Sequence, residues 1–204
     1  MLSSSSQNLD AFCNTVEVSA LGGNGIDIIG QNREISSGNH FHHNTVTFDG
    51  TSGVTGAARD SLIQLNFFSF NRFTSNAYHL VSLDQDVFFF NDHANSFAQF
   101  QAGGQEAGGS ADTNYTATVP TVAISSPSDG ATVSGTVQVQ GTSSGNLSKV
   151  QLLVDWKPLE TVSTSPFNFS WDTSGVKSGQ HTVAAMAYTT EGVSACYAVS
   201  LLVQ

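Results

Sequence analysis

Apolar and polar residues alternate over short runs in the first half of the chain, and no stretch carries the longer period of an amphipathic helical repeat. Three hexapeptides read Asn or Asp, any residue, Phe, two residues, Asn: Asn39 to Asn44, Asn66 to Asn71 and Asp86 to Asn91. Aligned on their final asparagines, they lie 27 and 20 residues apart. A fainter copy, Cys13-Asn14-Thr15-Val16, matches His43-Asn44-Thr45-Val46 from 30 residues upstream. Repeats of this length without helical periodicity predict about four turns of a solenoid, stacked at about 4.8 Å. In this alignment period-2 alternation sends Phe41/His43, Phe68/Phe70 and Phe88/Phe90 inward and leaves His42, Ser69 and Phe89 facing solvent. Asn44, Asn71 and Asn91 then form an amide ladder at a bend.

Phe97 and Phe100, three residues apart, predict a short helix that covers the last turn. Residues 103–118 are rich in Gly, Ala, Ser and Thr and read as a linker or closing loop. Beyond Pro120, apolar runs at Val122 to Pro127, Val133 to Gln140, Val150 to Trp156, Phe167 to Trp171, His181 to Tyr188 and Ala195 to Val203 predict about seven short strands.

The recurring hexapeptide resembles the right-handed parallel β-helix superfamily, which includes pectate lyase-like proteins, over roughly residues 8–115. The second half resembles the bacterial immunoglobulin-like domains appended to secreted carbohydrate-active enzymes and adhesins. That likeness rests on Pro120-Thr121-Val122, Ser126-Pro127, Gly130 to Gly135, Val154-Asp155, Pro166-Phe167, Trp171-Asp172-Thr173 and Gly179 to Val183. Trp156 departs from the small residue such domains often carry after Val-Asp, which places the local hairpin turn in question. The two likenesses imply an all-β chain, with a parallel β-helix over 1–115 and an immunoglobulin-like β-sandwich over 119–204. They also imply the C-terminal region of a secreted protein that acts on or binds polysaccharide, as a glycoside hydrolase or polysaccharide lyase if it is an enzyme. The alternative is a non-catalytic surface, adhesion or carbohydrate-binding module.

Charge narrows the partners. The formal net charge is −10 with six Lys and Arg, so long-range electrostatics disfavour nucleic acid and anionic lipid. Polysaccharide remains the expected partner. No apolar run has the length of a membrane helix, and residues 1–10 lack the regions of a signal peptide, so an export signal is expected upstream. The first turn is expected to lack a cap, and an edge-mediated homodimer follows as an expectation. Cys13 and Cys196 fall in different predicted modules, which favours two free thiols over a disulfide.

Candidate chemistry centres on carboxylates flanking the third hexapeptide, because parallel β-helix enzymes commonly place acidic groups on an outer face. Asp84, Asp86 and Asp92 are the candidate catalytic residues, weighed against exposed turn positions. Asp92 shares a predicted column with Thr45 and Arg72, making Arg72 and Asp92 neighbours. Arg72, His42, Tyr78 and Phe89 are the candidate sugar contacts, since flat apolar rings suit a pyranose face. Phe67 is a further exposed aromatic by this reading. His40 and His42 share a strand face, with His43 on the other, and a third metal ligand would be sought in His79 or Asp60. A solvated or core-filling role is preferred for these histidines, so no metal or cofactor is expected, Ca2+ being the ion the resemblance allows. Of the polygalacturonase pattern only Asn8-Leu9-Asp10 is present, and the pectate lyase pattern fares no better, with Arg33, Arg59 and Arg72 as the sole candidate bases.

Overall fold

The computed structural model describes residues 2–4, 7–30, 36–59, 71–90 and 93–204. The chain divides into two compact units, residues 1–116 and 117–204, and the described residues are all-β apart from one short helix.

The described residues of unit 1 form three hydrogen-bonded ladders. The first comprises β1 (Leu2–Ser4), β4 (Asn24–Gly30), β7 (Val54–Arg59) and β10 (Phe88–Phe90), all parallel, with β11 (His93–Asn95) added antiparallel. The second is β2 (Asp10–Phe12), β5 (His40–His42) and β8 (Arg72–Thr74), wholly parallel. The third is β3 (Thr15–Val18), β6 (Thr45–Phe48), β9 (Ala77–His79) and β12 (Ser110–Asp112), also parallel. In the third ladder Thr15, Thr45, Ala77 and Ser110 are partners, so the structural repeat is 30, 32 and then 33 residues.

That register corrects the predicted alignment. The copy that follows Asn39 to Asn44 is Asn71-Arg72-Phe73-Thr74-Ser75-Asn76, which fits the same pattern and begins at the asparagine the sequence alignment treated as a last one. Asn44 therefore stacks with Asn14 and Asn76, while Asn71 stacks with Asn39. Asn91 and most of the 66–71 hexapeptide lie outside the described residues. Phe88 and Phe90 belong to the first ladder, where Phe88 pairs with Thr55. Richness in phenylalanine drew the 86–91 segment into the alignment, whereas the two corner asparagines are what the backbone repeats.

Each corner asparagine works as a connector. The Asn44 side-chain oxygen accepts from the Asn14 backbone N–H at 3.0 Å and from its Nδ2 at 2.8 Å. Asn44 in turn donates its backbone N–H and Nδ2 to Asn76 Oδ1, and Nδ2 also donates to the Ala11 carbonyl. Before it, Cys13, His43 and Ser75 all have φ near +54°, a left-handed residue that turns the chain from the second ladder into the third. His43 is thus a corner residue, not the inward-facing one the alternation predicted. Inward positions of the second ladder are Ala11, Phe41 and Phe73, with the Phe41 and Phe73 rings stacked at 5.1 Å.

Along the ladder each asparagine amide donates to the Oδ1 of the next asparagine, so the last one, Asn76, needs an acceptor beyond it. Glu106 fills that place: its carboxylate takes the Asn76 N–H, Asn76 Nδ2 and the Tyr78 hydroxyl. Burial pushes Glu106 up to about 7, the hydrogen bonds from Asn76 and Tyr78 pulling against it. A folded-state value above the unfolded one means the native state holds the proton more tightly. Unit 1 should therefore lose stability as pH rises from 4.5 to about 7, by as much as about 3 kcal/mol, and stay at the lower level above. Urea denaturation at pH 5 and pH 8 checks this, and Glu106→Gln should flatten the dependence.

Helix α1 (Phe97–Ala102) forms with a capping box in which Ser96 and Gln99 bond each other's backbone N–H. As the spacing predicts, Phe100 is buried and Phe97 packs beside it, against Phe88.

In unit 2 one antiparallel sheet holds β13 (Val122–Ser126), β15 (Thr136–Ser143) and β18 (Phe167–Asp172). The other holds β14 (Thr132–Val133), β20 (Ser194–Val203), β19 (Gly179–Thr189), β16 (Leu147–Val154) and β17 (Lys157–Val162). Alternation sends Val137, Val139, Phe167, Phe169 and Trp171 of the first into a core shared with Val150, Leu152, Val183, Ala185, Val199 and Leu201 of the second. The β16–β17 turn that Trp156 placed in question closes in two residues, with Asp155 at φ 48° and Trp156 at φ 64°. A Cβ at Gly141 would collide with the Ala123 carbonyl oxygen and the Phe167 ring, so Gly141→Ala should cost at least about 2 kcal/mol, measured by loss of the tryptophan fluorescence transition midpoint. Neither Cys13 nor Cys196 is a free thiol, which overturns the expectation of two free thiols. Assignment to separate modules fixes the sequence interval between two cysteines, not what each meets.

Candidate functional site

The second ladder of unit 1 presents the densest chemistry. With Ala11, Phe41 and Phe73 turned into the core, the residues on either side of each face outward: Asp10 and Phe12, His40 and His42, Arg72 and Thr74. Register then sets Asp10, His40 and Arg72 in one column and Phe12, His42 and Thr74 in the next.

These side chains bond one another. His42 Nε2 lies 2.9 Å from Asp10 Oδ1, and His42 Nδ1 lies 2.8 Å from His43 Nδ1. His40 Nδ1 is 3.7 Å from the same Asp10 oxygen, while its Nε2 meets Thr74 Oγ1 at 2.7 Å. The His40 and His42 rings are 4.3 Å apart, and Phe12 stacks on His42. Burial lowers His40 to about 4, with nearby His42 and Arg72 adding to the effect, and lowers His43 to about 4, with His42 and His40 adding to it. Burial also lowers His42, against the pull of Asp10. Burial thus favours the neutral form of all three rings.

The sequence-predicted residues separate accordingly. His42 and Arg72 both belong to this face, Arg72 exposed and His42 covered, so His42 is not the solvent-facing side chain that alternation alone predicted. The partner of Arg72 in the ladder is His40, and Thr45 pairs with Ala77, which removes the column of Thr45, Arg72 and Asp92. Asp92, Phe67 and Asp60 lie outside the described residues. Tyr78 is a core residue, fully buried with its hydroxyl on Glu106, and cannot stack on a sugar. Phe89 is half-buried in β10 of another ladder. Asp84 and Asp86 are exposed in the turn leading to β10, where the Asp84 backbone N–H bonds Ser82 Oγ. The third member of the histidine cluster is Asp10, whereas His79 sits in the third ladder, 2.7 Å from Asp112. Sequence reasoning had the signal for Asp10: it precedes His40 by the same 30 residues that separate Asn14 from Asn44.

A second polar column, Glu17, Thr47, His79 and Asp112, crosses the third ladder. Among the described residues, Thr47 Oγ1 and His79 Nε2 are buried without a hydrogen-bond partner.

Together these features define an all-β protein of two units, the first with parallel ladders and the second with two sheets around a shared core. Residues 120–185 match the bacterial Ig domain family. Among solved structures, fibronectin(III)-like modules of Clostridium thermocellum CbhA are 19% identical, with 41% of this chain and 96% of that chain covered and a TM-score of 0.36. The endo-beta-1,4-mannanase from Thermotoga petrophila is 18% identical, covering 42% of this chain and 20% of that one, with a TM-score of 0.38. A double mutant of the Cellulomonas fimi endo-beta-1,4-mannanase is 16% identical, covering 82% and 39%, with a TM-score of 0.29. The chain thus spans well under half the length of either mannanase. Similarity at this level carries no argument about activity. No curated protein matches the chain.

Proposed function

We propose that the chain is an extracellular polysaccharide-binding region in which a right-handed parallel β-helix presents a glycan contact face and the immunoglobulin-like unit serves as spacer. The observation that carries this reading is the outward column Asp10, His40 and Arg72, one side chain on each successive strand. Side chains repeating at the ladder spacing of about 4.8 Å suit a linear polymer whose hydroxyls also recur at fixed intervals. Asp10 accepts from hydroxyls, and the Arg72 guanidinium donates a planar fork to them. The net charge of −10 repels polyanions at long range, so neutral glycans such as xylan, arabinan and mannan rank ahead of pectin and alginate.

Affinity electrophoresis through gels containing each of these polymers tests the reading. At least one neutral glycan should retard the chain, and Arg72→Ala should reduce that retardation at least about fivefold, as expected when about 1 kcal/mol of a charged hydrogen bond is removed. Free migration in every gel would end the proposal.

A further inference from the structure

We propose that Asp10 Oδ1, His40 Nδ1 and His42 Nε2 form a three-ligand site for one divalent transition-metal ion of the zinc class, Zn2+, Ni2+ or Cu2+, on the outer face of the second ladder. The inference shares Asp10 and His40 with the glycan reading but does not rest on it.

Geometry comes first. One ligand atom from each of the three residues lies within 4.8 Å of the others. Metal–ligand distances of about 2.0–2.1 Å in a tetrahedron put ligand atoms about 3.3 Å apart. The two printed separations to Asp10 Oδ1, 2.9 Å from His42 Nε2 and 3.7 Å from His40 Nδ1, straddle that value. Small side-chain adjustments suffice, and the backbone need not move, since the ladder already fixes Asp10 beside His40 and strand alternation fixes His40 beside His42.

The remaining ring nitrogens are also placed as a metal site requires. Metal-ligating histidines use their second nitrogen to hold the ring. Here His40 Nε2 meets Thr74 Oγ1, and His42 Nδ1 meets His43 Nδ1. With the metal on His42 Nε2, the His42 proton resides on Nδ1 and is donated to His43. Approach is from the side of Asp10 and His40, whose side chains are 55% and 26% exposed, and the fourth position is left to water.

The ligand set selects the ion. Ca2+ requires six to eight oxygen ligands, and this site supplies one carboxylate. Arg72, next in the Asp10–His40 column, opposes any purely electrostatic hold on a cation. Imidazole nitrogen bonding, which favours Ni2+, Cu2+ and Zn2+, persists against that charge.

The test is isothermal titration of the full chain, stripped with chelator and dialysed, with ZnCl2, NiCl2 and CaCl2. One equivalent of Zn2+ or Ni2+ should bind, with no heat from Ca2+ at the same concentration. Asp10→Asn, an exposed isosteric change that spares the fold, and His40→Gln should each weaken binding at least about tenfold, since even outer partners of metal ligands have effects of that size. His93→Gln and His181→Gln should leave it unchanged, and circular dichroism verifies folding of each variant. Failure of the unsubstituted chain to take up Zn2+ or Ni2+, uptake that Asp10→Asn and His40→Gln leave intact, or preferential Ca2+ binding would each overturn the proposal.

Discussion

Asn44→Ala should destabilise unit 1 by about 3–4 kcal/mol, an effect on the scale of a deleted core side chain although only one polar group is lost. The substitution removes the acceptor of the Asn14 backbone N–H and the donor to the Ala11 carbonyl. It also cuts the side-chain link that Asn76 Oδ1 receives from below. Each buried group left unpaired costs about 1–3 kcal/mol. Asn44→Asp separates hydrogen-bond loss from cavity effects: it keeps the acceptor for Asn14 but faces an anion toward Asn76 Oδ1, so it should be at least as damaging as alanine. Native-state hydrogen exchange gives the measurement. Protection at the Thr45 and Ala77 amides, which bond the Asn14 and Asn44 carbonyls, should fall by more than about a hundredfold. Unchanged protection in both variants would show that the ladder is incidental to stability.

Phe41→Ala should cost about 3–5 kcal/mol, the range for truncating a fully buried phenylalanine. The ring is wholly enclosed and stacks on Phe73, which in turn meets Phe100 of helix α1 edge-on at 5.6 Å. The cavity would therefore open in the middle of a column that runs from Ala11 to the helix. Phe41→Leu keeps most of the volume and should cost about half as much. Urea midpoints followed by far-ultraviolet circular dichroism decide between them, and equal midpoints for Phe41→Ala and the unsubstituted chain would refute the aromatic column as a structural element.

The same residues show how far the sequence could be read. Strand alternation put Phe41 inside and placed His40 and His42 together on one face, and the structure agrees because that inference needs only the pleat of a single strand. The apolar runs of unit 2 became strands for the same reason, and Phe97 and Phe100 produced their short helix. Register between strands is not set by alternation within one strand. Choosing Asn71 as the end of a repeat, when it is the beginning, shifted that copy by five residues, and every cross-strand neighbour shifted with it. Arg72 was thereby assigned to Asp92 and Thr45, while its ladder partner is His40. An aromatic in a polar stretch such as Tyr78 gives no sign of a buried carboxylate such as Glu106, 28 residues later, that binds its hydroxyl.

What the amino-acid order determined by itself was local: which short segments are extended, that His40 and His42 share a strand face, and that the chain is acidic and poor in cations. These follow from steric and solvation preferences acting over a few residues. Tertiary structure alone decided which segment lies on which, and so brought Asp10 to His40 and His42 and set Glu106 at the end of the asparagine ladder. Both outcomes depend on contacts about 30 residues apart, and loops of 30 to 33 residues can close in several registers of nearly equal entropy. Burial of Phe41 and Phe73 and the pairing of every corner amide select one of them.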